Sequence, residues 1–216
     1  MSDLPIYVPE DTTEENKGDG LLYPKEYEGH LQHVMLKREE ILACVKSLAS
    51  KIGKDYAGKF PVMVCALKGA NNFYQHLLEA LQELRLGYTT EFLRASSYVG
   101  SKSSGSVTIS GGLDYEKLMG RHVILVEDIL ETGTTLSHLI PTLREECNVE
   151  SIEVCSLLQK RLEHPPKQSA KYVGFSIPDH FVIGYGLDYN ELYRDLRDIW
   201  VISKAGIAFD PTSLFK

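Results

Sequence analysis

The chain has 216 residues, 43% of them hydrophobic and 25% charged, and a formal net charge of −7. That length suits one large domain able to bury a sizeable core. The composition is that of a globular protein, not a fibre or a membrane protein, since no apolar run approaches the roughly 20 residues that span a bilayer. The negative balance argues against sequence-independent binding to nucleic acid, which needs a basic face, so any anionic substrate must be held by a local cluster.

Residues 1 to 20 carry Pro5, Pro9, the run Thr12 to Glu15 and Gly18-Asp19-Gly20, with few large apolar side chains. They are expected to form a mobile acidic arm ahead of a single domain over 21–216. The N-terminus shows no charged-then-apolar signal pattern, which predicts a cytosolic address. Cys44, Cys65 and Cys155 sit in apolar periodic stretches without C-x-x-C spacing and read as buried thiols of a reducing compartment. His30 and His33 lack an acidic or cysteine partner nearby in sequence, so they read as a partly exposed pair and not as metal ligands.

Ile41, Leu42, Val45, Leu48, Ala49 and Ile52 follow helical spacing, which predicts a core-facing helix from Lys37 to Lys51 with Gly53 as its C-terminal cap. Pro61 to Leu67 is a short continuous apolar run, the pattern of a central strand. It ends in Lys68-Gly69, a cation and an unobstructed backbone at the strand's C-terminus; the competing reading is a solvated surface lysine. Phe73, Leu77, Leu78, Leu81 and Leu84 mark a second packed helix. Tyr88 to Arg94 alternates as a strand does. The Ser/Gly-rich stretch from Ala95 to Ser106, with one aromatic at Tyr98, is too long for a tight hairpin and too polar for a core. It reads as a flap able to exclude water from a reactive intermediate, or as a plain surface loop.

After a short strand at Val107 to Ile109 comes the most informative stretch. Val123 to Val126 has the composition of a strand covered on both faces. Glu127 and Asp128 then put two carboxylates at its C-terminal edge, and Glu131 adds a third before Thr132-Gly133-Thr134-Thr135 opens a helix that continues through Leu143. Ligands of parallel α/β sheets bind outside the carboxyl ends of the strands. A Gly/Thr loop running into a helix N-terminus there suits a phosphate. Carboxylates beside such a cradle make sense with a sugar phosphate and Mg²⁺, the diol donating to carboxylates and the metal taking oxygens. The competing reading makes Thr132 a helix N-cap and the carboxylates partners of the helix dipole.

Ser151 to Leu158 is a further strand ending in Gln159-Lys160-Arg161, and Tyr172 to Ile177, Phe181 to Ile183 and Ile199 to Ser203 are shorter ones. Strands alternating with helices predict an α/β fold with a mainly parallel sheet flanked by helices. Three late features can converge on the sheet edge: Lys160 at a strand end, Phe181-Val182 as an aromatic with a neighbouring backbone, and Asp188 in a glycine-flanked loop. An aromatic can stack a base, a lysine can donate to a carbonyl oxygen, and an aspartate can take Mg²⁺. Read singly, Phe181 is core and Asp188 a turn residue.

Together these pieces resemble the hypoxanthine-guanine phosphoribosyltransferases, from about Leu21 to about Ser203. The resemblance rests on Val126-Glu-Asp-Ile-Leu-Glu-Thr-Gly-Thr-Thr135, Leu67-Lys-Gly69, Ser97-Tyr98, Leu157-Leu-Gln-Lys-Arg161 and Pro178-Asp-His-Phe-Val-Ile-Gly-Tyr-Gly-Leu-Asp-Tyr-Asn190. It implies a type I phosphoribosyltransferase-like core with a small hood over the C-terminal strand edge. It implies purine salvage: a 6-oxopurine base plus phosphoribosyl pyrophosphate gives a nucleoside monophosphate and pyrophosphate, with Mg²⁺, in a homodimer or homotetramer. By that likeness Thr132, Gly133, Thr134 and Thr135 hold the 5′-phosphate, and Glu127 and Asp128 meet the ribose hydroxyls. Lys68, Gly69, Arg194 and the flap residues Ser97 and Tyr98 hold pyrophosphate. Phe181 stacks the purine, Lys160 reaches its 6-oxo group, Val182 and Asp188 recognise its other edge, and Asp188 also faces Mg²⁺.

Three positions depart from the family pattern. Ala70 stands where a second glycine is common and Thr134 where lysine is frequent, and little follows from either. Glu131 stands where the family has an aspartate, the base for the purine N7 proton, which predicts an active but slowed enzyme. It also keeps open an alternative: a catalytically weak nucleotide-binding relative acting as a sensor or interaction protein. A P-loop kinase and a dinucleotide-dependent oxidoreductase are discounted, since the chain has neither G-x-x-x-x-G-K-[ST] nor G-x-G-x-x-G after its first strand.

Overall fold

The computed structural model describes residues 3–10, 20–96, 108–109 and 113–215. The apolar runs form a seven-stranded sheet in the order β1-β8-β7-β6-β3-β4-β5. Its strands are β1 Ile6–Tyr7, β3 Val62–Leu67, β4 Thr89–Ser96, β5 Thr108–Ile109, β6 His122–Leu130, β7 Ser151–Lys160 and β8 Tyr172–Ile177. All neighbours pair parallel except β5 against β4. Helices α1 (Arg38–Asp55) and α2 (Asn71–Glu83) cover one face and α3 (Thr134–Cys147) the other.

Strand periodicity decides which side chain meets which helix. Met63, Cys65, Ile124, Val126, Cys155 and Leu157 pack with α1 and α2. Val62, Val64, Val123, Leu125, Ile152 and Val154 pack with Leu136, Leu139, Ile140 and Leu143 of α3. An unbroken apolar run is thus the signature of a strand buried on both faces. All four cysteines are buried and free. Burial pushes the Cys44 thiol up to about 12, and burial together with the Glu127 and Asp128 charges does the same to Cys65.

A second sheet, β2 (Leu31–Leu36), β10 (Ile199–Ile202) and β9 (Val182–Ile183) in the order β2-β10-β9, is antiparallel and forms the hood. It has its own core of Tyr27, Val34, Ile183, Tyr193, Leu196, Trp200 and Ile202. Asp198 ties it to the main body: its Oδ1 accepts the Arg38 backbone N–H at the start of α1 at 2.8 Å, an acidic group satisfying a free helix donor.

The structure differs from the sequence reading in four places. Residues 3–10 are not a free arm, because Ile6 and Tyr7 pair with Phe175 and Ser176, Val8 is buried, and Arg161 donates to Val8 O at 2.7 Å; residues 11–19 lie outside the described residues. Helix α1 runs two residues past Gly53, whose missing side chain leaves room for Leu84 of the α2 terminus, so that glycine serves helix contact and not capping. Strand β6 extends through Leu130, which places Glu127 and Asp128 inside a strand and shortens the loop before α3 to Glu131-Thr132-Gly133. Strand β2, unforeseen, takes the segment that includes His33. The flap expected over 95–106, with Ser97 and Tyr98, lies outside the described residues from residue 97 onward.

Candidate active site

The C-terminal ends of β3, β6 and β7 and the hood loop after β9 surround one cleft. Its larger part, about 350 Å³, is lined by Lys68 and Gly69, by Glu127 through Leu136, and by Asp188 and Arg194. A smaller part, about 200 Å³, is lined by Asp128, Ile129, Glu131, Lys160, Phe181, Val182, Leu187 and Asp188. The two share Asp128, Ile129, Glu131 and Asp188, so a ligand with two unlike halves would join them there. The structure therefore brings to one cleft the described residues expected for the phosphate, ribose, pyrophosphate and base, from Lys68 and Gly69 to Arg194.

Gly133 is the N-cap of α3, not Thr132, and has φ 66°. A Cβ at Gly133 would fall 2.9 Å from the Gln168 backbone N, because the loop after β7 lies against it. Lys167 N–H donates to Thr132 O at 2.8 Å and holds that loop in place. The cradle over Thr132 to Thr135 thus combines the N–H groups of a helix start, that of Thr134 donating weakly to Thr132 Oγ1 at 3.4 Å, with three hydroxyls, which suits a dianionic oxygen cluster. Thr132 Oγ1 lies 3.1 Å from Thr134 Oγ1.

Gly69 answers a second close approach. Any Cβ there would land on the Asp128 carboxylate, and a Cβ on Gly186 would land on Gly69 O, so two chain segments and a carboxylate meet at that point. The Leu67–Lys68 peptide is cis. The hood loop that presses on Gly69 is wound tightly: Tyr185, Asn190, Glu191 and Tyr193 all have φ between 53° and 72°. Non-glycine residues adopt this region at a cost of order 1 kcal/mol or more and persist there when the surroundings fix them. Tyr185 is one anchor. Its hydroxyl lies 2.7 Å from His76 Nδ1, while Arg38 Nη2 donates to His76 Nε2 at 3.0 Å. Arginine only donates, so Nε2 must accept and the proton sits on Nδ1.

Electrostatically, carboxylates crowd the floor and cations ring the rim. Burial and the neighbouring Asp128 charge push Glu127 up to about 8. Burial also pushes Asp128 up to about 6, against two backbone hydrogen bonds and the pull of Arg194. Each gains from a hydroxyl or cation brought to it. Arg194 Nη2 lies 2.8 Å from Asp188 Oδ1 and 3.5 Å from Glu191 Oε2, and Nη1 donates to Gly186 O at 2.8 Å. Its buried Nε has no hydrogen-bond partner among the described residues. Lys68 Nζ lies 2.9 Å from Glu191 Oε2.

In the smaller part Lys160 is only 9% exposed at its side chain, with Nζ 2.6 Å from Glu131 Oε1 and 3.4 Å from Asp179 Oδ1. Phe181 is 48% exposed, its ring 5.9 Å from Lys160 Nζ and edge-on to Tyr189. The reading of Phe181 as plain core is thereby overturned: it offers an open aromatic face beside a cation, an arrangement suited to stacking a flat heterocycle. Asp179 and Glu191 were not singled out in the sequence. Asp179 lies two residues before Phe181 within the quoted motif, but nothing in a linear pattern brings Glu191 to Lys68, 123 positions away.

No group of three or more His, Cys, Asp or Glu suited to a metal ion occurs among the described residues. The donor chemistry still fits Mg²⁺ arriving with a phosphorylated ligand, since that ion is commonly held by one or two carboxylates plus substrate phosphates. Asp188 on the cleft wall, with Asp128 sharing both parts, provides such carboxylates.

The phosphoribosyl transferase domain matches residues 35–190, and the chain belongs to that family. Within the family it is similar to hypoxanthine-guanine phosphoribosyltransferases, the human one being 37% identical over 191 residues, 86% of this chain and 87% of that protein. A Staphylococcus aureus hypoxanthine phosphoribosyltransferase superposes with a TM-score of 0.76 at 38% identity, covering 84% of this chain and 97% of that one. A Trypanosoma cruzi hypoxanthine phosphoribosyl transferase, studied for the role of its C-terminal region in oligomeric state and enzymatic activity, gives 0.77 at 36%, covering 86% and 97%.

Proposed function

We propose that the protein is a purine-salvage enzyme that transfers 5-phosphoribosyl from phosphoribosyl pyrophosphate to hypoxanthine or guanine, giving the nucleoside monophosphate and pyrophosphate. The observation that carries this reading is the shared wall of the two-part cleft. A cradle for a phosphate, carboxylates for a diol and a cationic rim belong to one part, an aromatic and a lysine to the other, and Asp128, Glu131 and Asp188 lie at the junction. The base-to-sugar bond would form at that junction.

The reaction breaks the bond from sugar C1′ to pyrophosphate, forms one from C1′ to purine nitrogen, and releases a proton from the purine. Glu131 takes the proton, acting as the general base. Departure of pyrophosphate leaves positive charge on the sugar ring, which the Asp128 carboxylate stabilises, with Glu127 at the ribose hydroxyls beside it. Lys68, Gly69 and Arg194, with Ser97 and Tyr98 of the expected flap, hold the leaving pyrophosphate; Asp188 would hold Mg²⁺, which would supply charge neutralisation for it. Thr132 to Thr135 fix the 5′-phosphate and orient the sugar. Lys160 donates to the purine 6-oxo group, Phe181 stacks the ring, and Val182 and Asp188 meet the opposite edge. No described helix is long and apolar enough to cross a membrane; we assign the protein to the cytosol as a homodimer or homotetramer.

The test is incubation of the full chain with phosphoribosyl pyrophosphate, Mg²⁺ and each of hypoxanthine, guanine, xanthine and adenine, with nucleotide detection. Hypoxanthine or guanine should be converted and adenine should not. Efficient use of adenine would remove the 6-oxopurine assignment, and binding without turnover would favour a sensor.

A further inference from the structure

Glu191 stands beside the cleft, paired with the lining residues Lys68 and Arg194, and no part of the reaction has been assigned to it. It follows Asp188 in the tightly wound hood loop, has φ 66°, and is 64% exposed at its side chain. Its backbone N–H donates to Asp188 Oδ2 at 2.9 Å, which fixes its position relative to the carboxylate proposed for Mg²⁺. Its own Oε2 accepts from two cations at once, Lys68 Nζ at 2.9 Å and Arg194 Nη2 at 3.5 Å. Those cations come from opposite sides of the cleft, one from the end of β3 and one from the hood. A single anionic oxygen between them has the placement that an oxygen of a diphosphate would need.

We propose that Glu191 is an internal stand-in for the pyrophosphate: it occupies the Lys68–Arg194 gap in the free enzyme, must swing out when the diphosphate enters, and returns to help expel it. This rests on the reading of Lys68 and Arg194 as the pyrophosphate-holding cations and adds to it a residue that regulates their availability. The physical requirements are met. Glu191 is exposed, so the carboxylate can rotate into water without a burial cost; its pair with the half-exposed Lys68 is weakened by solvent screening and its pair with the more buried Arg194 is long at 3.5 Å, so the exchange is shallow enough to reverse in every turnover. The loop backbone stays fixed because the Asp188 bond and the left-handed conformation belong to the main chain, and only the side chain moves. A carboxylate there therefore weakens diphosphate binding and speeds its loss, the behaviour of a positioning residue that opposes product retention.

The experiment is calorimetric titration of Mg²⁺–pyrophosphate into the full-length protein and into Glu191→Gln, Lys68→Ala and the double variant. Glu191→Gln should bind pyrophosphate roughly two- to ten-fold more tightly, the size expected for releasing one or two weak ion pairs. With Lys68→Ala already present, the same change should give a clearly smaller gain, because one of the two competed cations is gone. Glu191→Asn, which removes the charge and also favours a left-handed backbone, should match the glutamine variant and so separates charge from fold. Unchanged affinity in both neutral variants overturns the proposal, as does weaker binding, which would make Glu191 a helper in holding the metal. A gain of equal size with and without Lys68 also overturns it. A parent protein that binds no Mg²⁺–pyrophosphate sinks instead the assignment of Lys68 and Arg194, an outcome visible before any variant is compared.

Discussion

Replacing Glu131 by aspartate perturbs the junction of the cleft by one methylene. Shortening the side chain withdraws the carboxylate by roughly 1.5 Å, one carbon–carbon bond. Its 2.6 Å contact with Lys160 Nζ would open to about 4 Å. At an effective dielectric constant near 20 that separation costs on the order of 2 kcal/mol of attraction. Glu131 is half exposed, so solvent screening lowers this to about 1 kcal/mol. Lys160 keeps Asp179 as a partner at 3.4 Å, and the fold should hold. A purine that takes the Lys160 ammonium must first draw it from Glu131, so the weaker pair predicts a KM for hypoxanthine lower by about five-fold. The shorter base also regains the family geometry, and errors near ~1 Å in position cost on the order of 100-fold in rate; kcat should rise by roughly 10- to 100-fold. Glu131→Ala should instead lower kcat by about 10²-fold or more through loss of the general base. Continuous spectrophotometry of nucleotide formation from hypoxanthine measures both constants. An aspartate variant no faster than the parent, or an alanine variant as fast, would refute the role given to Glu131.

Lys160→Ala should lower kcat/KM for hypoxanthine by at least ~2 kcal/mol, since a site built to donate to the 6-oxo group loses its donor and Glu131 and Asp179 lose their counter-ion; steady-state kinetics on hypoxanthine and adenine checks it. Asp188→Asn should raise the Mg²⁺ concentration needed for half-maximal rate while thermal unfolding shifts little, because this loop carboxylate is bound to Arg194 at the cleft wall and not to the core. Glu127 is pushed up to about 8 in the folded protein, against an ordinary value near 4.3 when unfolded. The folded state therefore holds that proton more tightly, and this group's contribution to stability is present at low pH and lost as pH rises from about 4 through 8. Glu127→Gln should flatten that decline in melting temperature between pH 5 and 9, and an identical pH profile in both proteins would contradict the burial of the carboxylate.

The sheet was legible because strands buried on both faces leave unbroken apolar runs, as Val62 to Leu67 and Val123 to Val126 do. The end of β6 was not, since Glu127 to Leu130 mixes carboxylates with apolar residues although the hydrogen-bonded ladder with β7 continues to Leu130. Strand β2 escaped because its partner β10 is more than 160 residues distant and its polar side chains Gln32 and His33 break the pattern; only tertiary pairing makes it a strand. The arm was misread over residues 3–10 for a related reason: two residues pairing with an edge strand carry no periodicity, and the contact of Arg161 with Val8 O is long-range. The cleft-lining residues at strand ends are legible, because carboxylates, lysine and glycine interrupt apolar runs there. Phe181 was ambiguous, since a lone aromatic gives no sign of which way it faces. Glu131 was read as a displaced base, but its ion pair with Lys160 required the geometry of β6 against β7.

In the proposed reaction one cleft holds a purine and a phosphorylated ribose across the junction of Asp128, Glu131 and Asp188. Its most direct test is a crystal structure of the full chain with inosine monophosphate bound. The purine should lie against Phe181 with its 6-oxo group within about 3 Å of Lys160 Nζ, the ribose hydroxyls at Glu127 and Asp128, and the phosphate on the backbone of Thr132 to Thr135. A nucleotide bound elsewhere, or one whose phosphate lies at Lys68 and Arg194 with the Thr132 to Thr135 cradle untouched, would contradict it.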